Sequence, residues 1–123
     1  MQCPKCQSAM TPHTYEGSVV QRCNGCSGLW FEAVDHERLK DLAEDIDIGD
    51  PALGAQYNHI DRINCPNCPS WQMLRMVDPQ QPHIWFESCK HCYGRFYDAG
   101  EYRDFANYTL AKFFQDLTAP ERN

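Results

Sequence analysis

The chain has 123 residues, eight of them cysteine, and a formal charge of −6 with the histidines neutral. That length suits one domain or two very small ones. The acidic balance works against binding a phosphate backbone, which rewards cationic surfaces.

The chain opens Met1-Gln2-Cys3-Pro4-Lys5-Cys6, with no apolar segment ahead of the first cysteine pair, and no run approaches membrane-spanning length. A cytoplasmic, reducing location is therefore expected, where disulfides are disfavoured and thiolate–metal sites persist. After this first knuckle, Ser18-Val19-Val20-Gln21-Arg22 is a short β-branched run that reads as a strand. It leads into a second knuckle, Cys23/Cys26, and the aromatic pair Trp30-Phe31. Leu39, Leu42, Ala43 and Ile46 then fall at i, i+3, i+4, i+7, a helical stripe that should end near Asp47, ahead of Gly49-Asp50-Pro51. Residues 49–61 carry Pro, Gly and Asn and read as a linker, although Tyr57 and Ile60 are suited to docking. The pattern then repeats: knuckle Cys65/Cys68, strand material His83-Ile84-Trp85-Phe86-Glu87, knuckle Cys89/Cys92, and the aromatics Phe96-Tyr97. A longer stripe follows, through Phe105, Ala106, Leu110, Phe113, Phe114 and Leu117. The expected organisation is a first unit over 1–48, a linker over 49–61 and a second unit over 62–123.

Two copies of one unit account for this order. Cys23-Asn24-Gly25-Cys26-Ser27-Gly28-Leu29-Trp30-Phe31-Glu32-Ala33 lies over Cys89-Lys90-His91-Cys92-Tyr93-Gly94-Arg95-Phe96-Tyr97-Asp98-Ala99. Both cysteines, the glycine, two aromatics, an acid and an alanine match, and Cys3-Pro4-Lys5-Cys6 lies over Cys65-Pro66-Asn67-Cys68. The knuckles are separated by 16 residues in copy one and 20 in copy two, a difference that a hairpin absorbs at little cost.

A Cys-x-x-Cys turn presents two sulfurs on one side of a tight loop, and two facing turns supply a tetrahedron. The spacing of both copies is that of a zinc site. Cys3, Cys6, Cys23 and Cys26 should hold one ion, and Cys65, Cys68, Cys89 and Cys92 a second. Zinc is the expected metal, and iron, which also accepts four thiolates, is the alternative. Each copy is too short to build much core unaided, so the metal should decide folding. Eight thiolates (−8) and two divalent ions (+4) would take the net charge to about −10. Four thiolates leave no open coordination position, and no phosphate loop, nucleophile elbow or acid–base pair is present in the sequence, so an enzyme is not expected.

The stretch from Cys23 to Leu39 resembles the transcription-factor-IIB-like zinc-finger family of small bacterial proteins. That family's pattern is a Cys-Pro-x-Cys knuckle, a hairpin, then Cys-x-x-Cys-x-Gly-x-Trp, an acid and a short helix. The resemblance implies a small metal-stabilised α+β fold: two tandem zinc ribbons, each a β-hairpin with two knuckles followed by a helix. It also implies a ribbon that contacts RNA polymerase or another protein. Phe96 stands where copy one has Trp30, and Pro69 follows Cys68 where such knuckles have Gly, which removes a backbone donor and should weaken site two.

The ribbons are expected to pack through their helices. Trp30, Phe31, Phe96 and Tyr97 are candidates for a partner-binding surface, although a ribbon has few other residues with which to fill a core. Phe113, Phe114 and Leu117 are candidates for partner binding or self-association. The leading expectation is a zinc-binding protein-interaction module, with a thiol or zinc-linked redox sensor as the alternative and a nucleic-acid-binding ribbon as the third reading.

Overall fold

In the computed structural model, residues 1–60 and 62–107 are described. Strands β1 (Met10–Tyr15) and β2 (Ser18–Cys23) form an antiparallel hairpin with Tyr15 opposite Ser18. Its two turn residues, Glu16 and Gly17, both have positive φ (49° and 82°), as a tight two-residue hairpin turn requires. Strand β3 (Leu29–Phe31) returns beside β2. Copy two repeats this with β4 (Leu74–Val77), β5 (Trp85–Ser88) and β6 (Arg95–Tyr97). The two sets join edge to edge through an antiparallel β3–β6 pair, giving one six-stranded sheet in the order β1-β2-β3-β6-β5-β4. Trp30 stands opposite Phe96, its repeat equivalent, with Leu29 opposite Tyr97 and Phe31 opposite Arg95. The joint therefore has local two-fold symmetry.

Alternation along the strands sends successive side chains to opposite faces, and both faces are covered. One carries the cysteines with Met10, Trp30, Ile63, Met73 and Phe96. The other carries Val20, Leu29, Phe31, Phe86 and Tyr97 under Leu39, Ala43, Ile46, Tyr102 and Phe105.

The stripe from Leu39 to Ile46 does not form one helix. It folds as α1 (Asp35–Arg38), a 3-10 turn (Lys40–Leu42) and α2 (Ala43–Ile46). Leu39 and Leu42, each with φ near −100° and ψ near 10°, interrupt the ladder. The breaks still leave Leu39, Ala43 and Ile46 buried against the sheet. Helix α3 (Pro51–Tyr57) occupies the segment read as a linker. The Asp50 carboxylate accepts from the Ala52 N–H at 2.9 Å, and Pro51 sits in the first turn, both favourable helix-start features. Tyr57 and Ile60 pack against the cysteine-side core.

Helix α4 (Glu101–Ala106) starts after Gly100, whose φ is +87°. Its first turn is capped from copy one: the buried Asp47 carboxylate accepts from the N–H groups of Gly100 (3.0 Å) and Arg103 (2.9 Å). The Arg103 guanidinium returns a bond to the Asp47 carbonyl at 2.9 Å. The Tyr102 hydroxyl donates to the His36 carbonyl at 2.8 Å. The helices thus contribute to the packing between copies, but continuous strand pairing forms the joint. Among the described residues no helix is long and apolar enough to cross a membrane.

Candidate metal centres

Each centre is assembled from one turn ahead of a hairpin and one turn at its end. Cys3 and Cys6 flank a turn closed by the Gln7 N–H on the Cys3 carbonyl (3.0 Å). Cys23 ends β2, and Cys26 follows in a turn closed by the Ser27 N–H on the Cys23 carbonyl (3.2 Å). The hairpin places the two turns side by side, and the four sulfurs all lie within 4.8 Å of one another. Cys65, Cys68, Cys89 and Cys92 meet the same limit in copy two. The Cys3–Cys26 and Cys65–Cys92 sulfur pairs stand at 3.8 and 3.7 Å. A tetrahedron with Zn–S bonds of about 2.3 Å has edges of about 3.8 Å, so the donor sets fit zinc.

Electrostatics favours the same occupant. Four thiolates this close repel one another unless a cation compensates. In the sulfur cluster alone, the Cys3–Cys26 hydrogen bond holds Cys3 down to about 5 and pushes Cys26 up, while burial pushes Cys23 up to about 11. Backbone donors are already in place: Gly25 and Cys26 N–H groups point to the Cys23 sulfur at 3.3 and 3.4 Å, and the His91 N–H points to the Cys89 sulfur at 3.3 Å. His91 is otherwise a surface residue, its ring stacked on Trp71 with centroids 5.0 Å apart.

Pro69 acts differently from the sequence expectation. Its counterpart Gln7 gives its N–H to a carbonyl, not to a sulfur. The N–H groups directed at the Cys65 sulfur come from Asn67 and Cys68. The second knuckle loop is one residue longer, closing from Cys65 to Trp71 where the first closes from Cys3 to Ser8. The proline therefore removes no sulfur-directed donor.

All eight predicted ligands come together as two quartets. The four candidate surface aromatics do not form a surface. Trp30, Phe31, Phe96 and Tyr97 are each 0% exposed. The β3–β6 joint, with a core on both faces, consumes them. Phe31 and Tyr97 meet edge to face at 5.8 Å on the helix side. Phe113, Phe114 and Leu117 lie outside the described residues.

Sequence reasoning missed the residues that cross between the copies. Lys5, inside the first knuckle, buries its ammonium between Glu87 and Asp98 of copy two, at 2.8 Å from each, and donates to the Tyr57 carbonyl at 3.1 Å. Burial pushes both carboxyl groups up, Glu87 to about 7. Copy two mirrors this contact. Asn67, in the place of Lys5, donates to both carboxylate oxygens of Glu32, the counterpart of Asp98, at 2.8 Å. The motif glycines cross the joint as well. A Cβ on Gly28 would strike the Phe96 ring, and one on Gly94 would strike the Trp30 ring. The glycine of each copy is thus the seat for the other copy's aromatic. A polar residue in the same place of both knuckles, and an acid after both aromatic pairs, were the available signals.

These features define a tandem four-cysteine zinc ribbon, with two zinc ions accommodated per chain. Residues 2–42 match the profile of the transcription factor zinc-finger family, of the transcription-factor-IIB zinc-ribbon type. The match spans the first ribbon, and the second repeats that ribbon's strand arrangement and its cysteine quartet. No curated protein matches the chain, and no solved structure does.

Proposed function

We propose that the chain is a cytoplasmic protein-interaction module without catalytic activity, serving as an accessory of the transcription apparatus. The observation that carries this reading is the closure of both quartets. Each metal is surrounded by four sulfurs in a shared core, so its role is to hold the fold, as in structural zinc sites generally. The family resemblance of the first ribbon supports RNA polymerase as the partner. The negative net charge supports a protein partner over nucleic acid.

The test is direct binding of the zinc-loaded chain to purified RNA polymerase. Association at micromolar concentration that is lost on metal removal supports the proposal. Absence of binding, together with a salt-sensitive shift of nucleic acid, would replace it with the nucleic-acid reading. A redox-sensor reading draws on the partial exposure of Cys6, Cys68 and Cys92, which leaves one or more sulfurs of each site within reach of an oxidant. Zinc release with reversible disulfide formation under mild peroxide would favour it.

A further inference from the structure

We propose that His91 is a reserve ligand of the second metal centre, able to take the place of Cys68. The two centres differ at one corner. In copy one that corner is packed shut: a Cβ added to Gly25 would strike the Ser8 hydroxyl and stand 3.2 Å from the Cys6 sulfur. The repeat places His91 over Gly25 and Cys68 over Cys6. The bond that closes each knuckle loop places Trp71 where copy one has Ser8. Copy two therefore carries an imidazole at the position whose first side-chain atom, in copy one, would already touch the ligand sulfur.

In copy two the same corner is open. The His91 ring lies on the Trp71 ring, with centroids 5.0 Å and planes 16° apart. Cys68, Trp71 and His91 line one cleft of about 260 Å³. Cys68 and Cys92 are both partly exposed, whereas Cys6 alone is so in copy one. The backbone of His91 is already fixed to the centre, its N–H donating to the Cys89 sulfur at 3.3 Å. Rotation of the side chain away from Trp71 is the movement that the exchange requires.

The chemistry is that of a known donor set. Three thiolates and one imidazole hold structural zinc as four thiolates do. The exchange is one of electron pairs: the Cys68 sulfur withdraws with its pair, and a neutral imidazole nitrogen brings another. Nothing is oxidised or reduced. Cys68 is then free to react in the cleft while the second ribbon keeps its metal, and with it its fold. The first ribbon has no such reserve, since Gly25 offers no donor and no other histidine of the chain lies within a knuckle.

The experiment counts zinc per full-length chain by native mass spectrometry and measures affinity by competition with a chromogenic chelator. Cys68→Ala should keep two ions, whereas Cys6→Ala should keep one. Adding His91→Ala to Cys68→Ala should weaken the second site at least tenfold, since even an outer hydrogen-bond partner of a ligand is worth about 10–100-fold. His91→Ala alone should leave both count and affinity as in the parent chain. Should Cys68→Ala fail to fold, the parent chain treated with limiting iodoacetamide gives the same reading: molecules carrying a single adduct, at Cys68, should retain two ions. Loss of one ion with that adduct would overturn the proposal. So would equal affinities in Cys68→Ala with and without His91, or a comparable loss from His91→Ala alone, which would make the histidine a part of the loop's structure only.

Discussion

Gly94→Ala tests whether the motif glycine exists for the neighbouring copy. The added Cβ would overlap the Cζ2 and Cη2 atoms of Trp30 and stand 3.0 Å from the Phe31 carbonyl oxygen. Trp30 is fully buried, so its ring can withdraw only by opening the cysteine-side core or by separating β3 from β6. Overpacking of this kind costs about 1–3 kcal/mol, and contact with a ring and a backbone oxygen together points to the upper end, about 3 kcal/mol. Trp30→Ala alone should cost about 3–5 kcal/mol through the cavity it leaves. In that background the methyl group added by Gly94→Ala enters vacated space, and its own cost should fall below about 1 kcal/mol. The double-mutant cycle therefore predicts a coupling of about 2 kcal/mol. Denaturant unfolding followed by far-ultraviolet circular dichroism is the assay, with free zinc held constant because metal binding is linked to folding. Additive penalties, or a neutral Gly94→Ala, would refute the reciprocal seating of glycine and aromatic.

Three further outcomes are expected. Elemental analysis of protein purified without added metal should find two zinc ions per chain; one ion, or a dominant red iron species, would contradict the assignment. Lys5→Met should cost about 3–5 kcal/mol, as breaking a buried ion pair does. The loss should grow as pH rises from about 6 to about 8: Glu87 and Asp98 must then stay protonated in the folded variant while the unfolded chain ionises them, so a pH-independent penalty counts against the buried triad. Burial holds His36 down to about 4 from its ordinary 6.5, so the unfolded chain takes up a proton that the folded chain refuses. Stability should fall as pH drops through this window, by up to about 3 kcal/mol, and His36→Gln should remove that slope. Zinc loss affects both proteins, so the wild-type-minus-variant difference is the measurement, and parallel curves would sink the idea.

The metal centres were legible because a tetrahedron of sulfurs imposes a local spacing on the chain. The buried residues of the first helical stripe were legible too, since Leu39, Ala43 and Ile46 are all core. Its breaks were not, because the same side chains reach the sheet from a broken helix as from a continuous one. The sheet joint left an ambiguous trace. Trp30 and Phe31 were readable either as a partner-binding surface or as core, whereas a short strand covered on both faces buries both. The burial of Lys5 lay beyond local reading: Asp98 is 93 residues away in sequence, and lysine is rarely internal unless paired.

The local two-fold at β3–β6 has a consequence for how different the two halves can become. In a pair of identical ribbons every contact across such an axis occurs twice, so a buried lysine held by two acids would also occur twice. Covalent linkage lifts that constraint. One flank of the axis keeps the buried Lys5–Glu87–Asp98 triad, while the other carries the exposed Asn67–Glu32 contact with Gln21 in the place of Glu87. Because the two flanks differ, each ribbon is marked for the other. A free first half would offer its lysine one acid in place of two, Glu32 for Asp98 but Gln21 for Glu87, and would pair less well with another first half. The tandem arrangement thereby makes a self-complementary edge selective for a partner already within the same chain.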